Sequence, residues 1–530
     1  MTDSAPSRTT SPALVVLAAA LFVLLTTFFV VADPQLVVAM LLRKFASAGV
    51  AALIVGYVAF AAGAGLLSIF RLSPAEPREA FLFATGLGLG ILSALTLGLG
   101  LLGLVNPTAF AVCLLVVLLA GLRPAVGILR GLRDVHQTKT LQPFSFDGLL
   151  RAVMCLLLAM NVLCAFTLPW EYDVQEYHLG APAQFFRASR IFFLEHNVYA
   201  SFPENVEMLY LLCMVLAGST LMGAYAGNLV NVGFGLLTAV TVAATARRFF
   251  NDRAGNVGAF FFYACPFVTI LSGVAYVEMG MALYLALAVH AFLAYRSRCE
   301  MAGLSARKWL VLSGLMAGLA IGCKYPALLF LLLPLLIGVA AHRMRPPPEA
   351  RGLLADSLAL LLTALLAASP WFLKNVAFTG NPTYPLLYSV FGGRNWSPEK
   401  DAKFRQAHAP GEMSFQGFAE RAADFCLNKH ERYLAPVALV FIPLALLGWQ
   451  RHGAVVAFLA AYWVLYVALW FGCTHRIDRF LAPSIPLLAI LSAAGFGAVE
   501  NRLSQGILKL LAAALLALSL VQNAAIAVTT

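Results

Sequence analysis

Residues 169–186, PWEYDVQEYHLGAPAQFF, gather Glu171, Asp173, Glu176 and His178 within eight positions of a chain that is 61% hydrophobic and only 12% charged. Asp173 stands among Trp170, Tyr172 and Tyr177. A carboxylate beside aromatic rings and shielded from water can hold a substrate hydroxyl and take its proton as a general base. The plain alternative is that three acids simply solvate a loop. His178 could orient the base or join it on a metal. A lone histidine beside aromatics is more often a structural hydrogen-bonder, however, and a zinc site wants a second histidine at ligand spacing. Glu176, Tyr177 and His178 together form a candidate substrate-binding wall.

Three further places carry isolated charge. Glu278, in SGVAYVEMGMALYLAL, is the only acidic or basic side chain between Arg253 and His290, and an acid in such surroundings must be solvated or paired. Lys324, in GLAIGCKYPALLF, interrupts a long apolar run; it must snorkel or meet an anion, and Pro326 marks a helix break beside it. Arg476 and Arg479, in CTHRIDRFLAPSIP, supply planar donors suited to phosphate, with pairing to Asp478 as the plain alternative.

The elements that position these residues are membrane helices. The chain has 530 residues and a mean hydropathy of +0.84, and many of its runs reach the roughly 20 apolar residues that span a bilayer. The net charge of +11 resides in short basic segments between apolar runs, where it reports topology; neither a basic arm nor a finger motif argues for nucleic acid. The nine cysteines include no C-x-x-C pair and fall mostly inside apolar runs, so they read as small core residues. The N-terminal run 12–32 is longer than a signal-peptide core and reads as a retained helix.

Spans are expected near 12–32, 46–70, 80–105 and 107–122, ending in the basic segment RPAVGILRGLRDVHQTK, which the charge rule keeps in the cytoplasm. Span 151–169 then exits on the outer side and carries Asp173 there. The apolar stretch 205–218 is too short to cross, so 170–222 reads as an outer loop with interfacial helices. Spans near 224–246, 254–271 and 279–295 follow, then two short spans within 309–341 that meet at Lys324, then 353–370. A second outer loop, 371–432, precedes spans near 433–449, 453–472, 479–498 and 507–527. The fold class is an all-α integral membrane protein of about fifteen transmembrane helices, with Asp173, Glu278, Lys324, Arg476 and Arg479 all on the outer side.

The segments WEYDVQEYHLGAPAQFF, FPENVEMLYLL, AYVEMGMALY, GLAIGCKYPALL, PWFLKNVAFTGNPTYPLLYSVFGG and HRIDRFLAPSIPLLAI, in that order, resemble the C-type glycosyltransferase (GT-C) fold of protein O-mannosyltransferases and aminoarabinose transferases. The resemblance covers about residues 150–500. It divides the chain into four additional N-terminal helices with a basic cytoplasmic linker, 1–149, and a catalytic core, 150–530, whose outer loops carry interfacial helices. It implies that Asp173 is the catalytic base and that Glu278 is a second acid of the site, sometimes associated with a divalent metal in that family. Glu in place of the commoner Asp leaves metal use open here. Lys324 and Arg479, with Arg476 as a weaker candidate, are implied to meet the lipid phosphate, and Asn375 or Asn381 to shape the sugar or acceptor site.

The chemistry follows without the family. A sugar leaving from a polyprenyl phosphate needs cations on the departing oxygen and a base on the opposite face of the anomeric carbon. The expected protein is therefore an inverting transferase in the plasma (inner) membrane. Its partners are a polyprenyl-phosphate-linked sugar, a glycan, lipid or protein acceptor, and the bilayer, without nucleic acid. A flippase would instead place charges near mid-span in paired halves. A polysaccharide polymerase or ligase of another membrane fold would centre on basic residues in large outer loops.

Overall fold

The computed structural model describes residues 34–504 except 138–144, 298–304, 345–349 and 428–435, together with scattered positions from 506 to 521. Proline opens α1 (Pro34–Ile69), α2 (Pro77–Leu101) and α3 (Pro107–Gln137), where its fixed φ suits the first turn and its missing N–H is no loss. Ser145 caps α4 (Phe146–Cys164), its hydroxyl accepting from the Gly148 amide at 3.0 Å. The chain then forms one π turn, Val174–His178, and the short helices α5 (Gly180–Ala188) and α6 (Glu207–Ala217) before α7 (Thr220–Phe249). The segment expected to be a loop with interfacial helices is thus built of short elements.

Helices α8 (Asp252–Tyr263) and α9 (Pro266–Ser272) are bent by 66° at a break that Pro266 enforces. Helix α10 (Glu278–Arg296) is buried along its whole spanning stretch, so it runs through the middle of the bundle with Glu278 at its first position. Helix α11 (Ala306–Cys323) ends at Lys324, and a second π turn, Leu328–Leu332, leads into α12 (Leu333–Arg343). Helix α13 (Ala350–Thr379) continues nine residues beyond Pro370, where the sequence suggested that the outer loop begins. Proline removes a hydrogen bond to the carbonyl four residues back; the Ser369 hydroxyl donates to that Leu366 carbonyl at 2.8 Å instead.

Three helices, α14 (Tyr388–Phe391), α15 (Pro398–Ala407) and α16 (Phe415–Leu427), make up the loop that follows. The bundle closes with α17 (Pro436–Leu444), α18 (Trp449–Cys473), a 3-10 segment at Asp478–Ser484 and α19 (Ile485–Val499).

Among the described residues ten helices are long and apolar enough to cross a membrane, and the bent α8–α9 pair makes an eleventh. This is an all-α integral membrane protein, with fewer described spans than the fifteen expected. The expected spans 12–32 and most of 507–527 lie outside the described residues. The run 328–343 is a short apolar helix, and α17 presents nine described residues.

The first three helices pack closely on one another. A Cβ added at Gly63 of α1 would lie 1.7 Å from the Ala84 carbonyl oxygen of α2, and one at Gly88 would lie 1.6 Å from that of Ala59. Gly121 of α3 approaches Ala61 as closely, at 1.8 Å. Small residues let membrane helices pack backbone to backbone, where dispersion rather than water expulsion supplies the attraction.

Candidate active site

Asp173 follows α4 by nine residues and directly precedes the π turn. Such a turn widens the helix by one residue and recurs at functional sites. Here it turns Tyr177 back over Asp173, with the tyrosine hydroxyl donating to Oδ2 at 3.5 Å. Burial first, and the Asp173 charge second, hold that hydroxyl well above its usual pKa, so it stays a donor.

Four charged groups from four different elements meet beside it. Arg479 of the 3-10 segment donates through Nη2 to Asp173 Oδ2, and its Nε lies 3.3 Å from Glu278 Oε1. Lys324 Nζ donates to the same Glu278 oxygen at 2.9 Å. Glu278 Oε2 accepts from the Val277 amide at 3.2 Å. Glu278 is 1% exposed, against 14% for Lys324, 16% for Arg479 and 26% for Asp173. The buried acid therefore anchors both cations, and Asp173 is the most exposed of the four groups. An unpaired charge could not be buried at Glu278's depth, and two cations side by side would repel without it. Aromatic faces add to the cage: Arg479 lies over Tyr276 at 4.6 Å and Lys324 over Phe480 at 4.0 Å.

Other expected residues serve elsewhere. Arg476, at φ 58°, donates to the Phe471 carbonyl at 3.0 Å and to the Gly411 carbonyl at 2.8 Å. It ties the outer loop to α18 and does not join the cation pair. Asp478 lies 4.0 Å from Arg421, so neither arginine takes the pairing suggested by adjacency in sequence. His178 is buried and points away from Asp173, with Nδ1 2.7 Å from Glu207 Oε1. Burial, the first cause in each case, pushes the His178 imidazole well down and the Glu207 carboxyl well up. The two share one proton as a neutral pair. Glu176 is half-buried and contributes its backbone carbonyl to Asn197 Nδ2 at 2.9 Å, and Glu171 accepts from the Tyr276 hydroxyl at 3.1 Å. Asn375 donates to the Tyr325 hydroxyl at 2.8 Å, and Asn381 pins the following turn through the Leu386 and Gly392 carbonyls, each at 2.9 Å.

Sequence reasoning passed over a buried ion pair behind this wall. Lys374 Nζ lies 2.8 Å from Glu204 Oε2 and is held also by the Phe202 carbonyl at 3.1 Å. The signal was present as two acids, Glu204 and Glu207, opening an apolar helix and needing partners. A divalent metal does not fit what the chain presents. Asp173 and Glu278 already face a guanidinium and an ammonium, and among the described residues no three His, Cys, Asp or Glu side chains are grouped to hold an ion.

No protein-family model matches the chain, and no curated protein matches it in sequence. Among solved structures it superposes on ArnT from Cupriavidus metallidurans bound to undecaprenyl phosphate, with a TM-score of 0.50 and 17% identity over 67% of this chain and 60% of that one. It also matches the apo oligosaccharyltransferase of Archaeoglobus fulgidus, with a TM-score of 0.45 and 14% identity over 70% of this chain and 56% of that one. The fold is the C-type glycosyltransferase fold. The chain spans about 60% of the length of ArnT.

Proposed function

We propose that this chain is an inverting membrane glycosyltransferase that moves a sugar from a polyprenyl-phosphate carrier to an acceptor, with Asp173 as general base. The observation that carries the reading is that a partly exposed carboxylate and two cations meet beside aromatic rings, with a buried acid fixing the cations. ArnT, whose fold is similar, was solved with undecaprenyl phosphate bound, a carrier of the class this chemistry requires. Arg296 ends α10, the helix that Glu278 opens, and Arg247, Arg248, Arg253 and Arg343 lie at the end of α7, the start of α8 and the end of α12. By the positive-inside rule they stay in the cytoplasm, and the site opens at the outer face of the inner membrane.

The carrier's phosphate binds between Lys324 and Arg479. By competing for the Arg479 guanidinium it releases Asp173. The acceptor oxygen attacks the anomeric carbon on the face away from the phosphate, and its proton passes to Asp173. The anomeric carbon–oxygen bond breaks with its electron pair on the phosphate oxygen, where the two cations balance the new charge. One displacement inverts the anomeric centre. Helices α1–α3, from residues 1–149, are an addition to a catalytic core spanning 150–530. Transfer of radiolabelled sugar from undecaprenyl-phosphate glucose to endogenous acceptors in native membrane vesicles tests the reading: Asp173→Asn should abolish it, and near-wild-type transfer would remove Asp173 as the base.

A further inference from the structure

Beside the four charged groups runs a series of aromatic side chains that keep unused polar handles. From Asp173 the contacts run through Tyr177 to Tyr199, with ring centroids 5.4 Å apart, then to His408 at 6.1 Å. His408 meets His475 at 4.9 Å, and His475 meets Phe480 at 5.3 Å, the ring that carries Lys324. The circuit closes through Glu278 and Arg479 back to Asp173. It draws on the first outer loop, on the end of α15 and on the turn before α19.

The handles have defined chemistry. His408 Nδ1 lies 2.8 Å from the Phe404 carbonyl, which can only accept, so Nδ1 donates there and Nε2 is left for another partner. His475 is pushed down to about 4, by burial first and then by His408, Lys324 and Arg479, so it is neutral near pH 7. Neither His475 nitrogen nor the Tyr199 hydroxyl has a hydrogen-bond partner among the described residues. Apolar ring faces edged by hydrogen-bond donors and acceptors suit a polyhydroxylated ring.

We propose that Tyr199, His408 and His475 form the subsite for an uncharged pyranose, the glycosyl group of the donor, stacked on their rings and hydrogen-bonded through their free polar atoms. The proposal rests on reading Lys324 and Arg479 as the phosphate ligands and deepens that reading by naming the sugar class. It makes the outer loop's α15 a specificity element, since His408 is its contribution to the subsite.

The test is binding to the full chain in nanodiscs at pH 7, with undecaprenyl phosphate, undecaprenyl-phosphate glucose and undecaprenyl-phosphate aminoarabinose as probes. The glucose-bearing carrier should bind about tenfold more tightly than the bare carrier, and more tightly than the aminoarabinose carrier. Tyr199→Leu and His475→Ala should erase that preference and leave bare-carrier affinity unchanged; His475→Phe should recover part of it through stacking. His408→Gln, which keeps an acceptor, should retain more preference than His408→Leu. Equal binding of bare and glucose carriers by the wild type overturns the proposal, as does a preference for aminoarabinose. So does an equal loss of both affinities in the variants, which would make the wall structural only. Bare-carrier binding that is absent, or indifferent to Lys324→Met, instead sinks the phosphate reading.

Discussion

Two ionic clusters sit at opposite ends of α10, built from nearly the same parts. At the arginine-rich end Glu79 accepts from Arg248 at 2.5 Å and lies 3.2 Å from His290 Nε2, whose Nδ1 is 2.9 Å from the Thr245 hydroxyl. Arg248 lies 5.1 Å from the Trp309 ring, and Glu79 is 5% exposed. At the other end Glu278 binds Lys324 and Arg479, again with aromatic faces over the cations. In the first cluster one buried acid binds α2, α7 and α10 together, and among the described residues no second acid joins it. The second has a second acid, Asp173, which reaches the cations from the accessible side and is 26% exposed. Burial and ion pairing are common to both. What marks the second as a site is a partly exposed carboxylate beside cations that an anion can claim, next to aromatic rings with unpaired polar groups.

That contrast can be broken experimentally, beginning with its largest expected consequence. Asp173→Asn should cost roughly 10²–10⁴ in transfer rate, the usual worth of a positioned base, with no change in thermal unfolding. Glu79→Gln should do the reverse, because it leaves Arg248 buried without its countercharge; a cost of about 3–5 kcal/mol is typical of a broken buried pair. A melting curve in detergent reads it as an earlier transition, while activity per folded molecule persists. Were Glu79→Gln to abolish transfer in fully folded protein, the division between a structural and a functional cluster would be wrong.

Removal of one proposed phosphate ligand, Arg479→Gln or Lys324→Met, should weaken binding of bare undecaprenyl phosphate by about tenfold or more, measured by equilibrium binding. An acid limb is expected next. His475 binds its proton less readily folded than unfolded, so between pH 6.5 and about 4 the unfolded chain holds more protons and stability rises with pH. As pH falls through that window, charge develops on His475 beside His408, Lys324 and Arg479, with only Asp173 opposing it. Sugar-carrier binding should decline there, and His475→Phe should flatten the decline. The smallest effect belongs to Arg476→Gln. Its guanidinium is committed to the carbonyls of Phe471 and Gly411, so carrier affinity should stay within about twofold, and limited proteolysis near residues 411–413 should quicken.

Much of the site was legible because isolated charge in an apolar chain is conspicuous. Asp173, Glu278, Lys324 and Arg479 were all candidates from sequence, and they meet. Arg476 was the weaker candidate beside Arg479 in HRIDR; a left-handed turn at Arg476 sends its side chain to the outer loop. His178 looked like a partner of Asp173 by proximity in sequence, but the π turn aims it at Glu207. His408 and His475 gave no signal, because a polar loop is an ordinary place for a histidine.

The sequence alone determined that this is an all-helical membrane protein and where most of its helices run. Hydropathy is a local property, summed over about 20 residues against a slab of fixed thickness. It also assigned the basic segments between helices to one side and the candidate site residues, acidic and basic, to the other. Only the tertiary structure decided that Arg479 reaches Asp173 across 306 residues of chain, that one buried glutamate anchors two cations, and that rings from three distant segments close around them. Those facts depend on which helix faces which and on two single-turn changes of helical pitch. Such choices are made by packing over the whole bundle, and no window of sequence contains them.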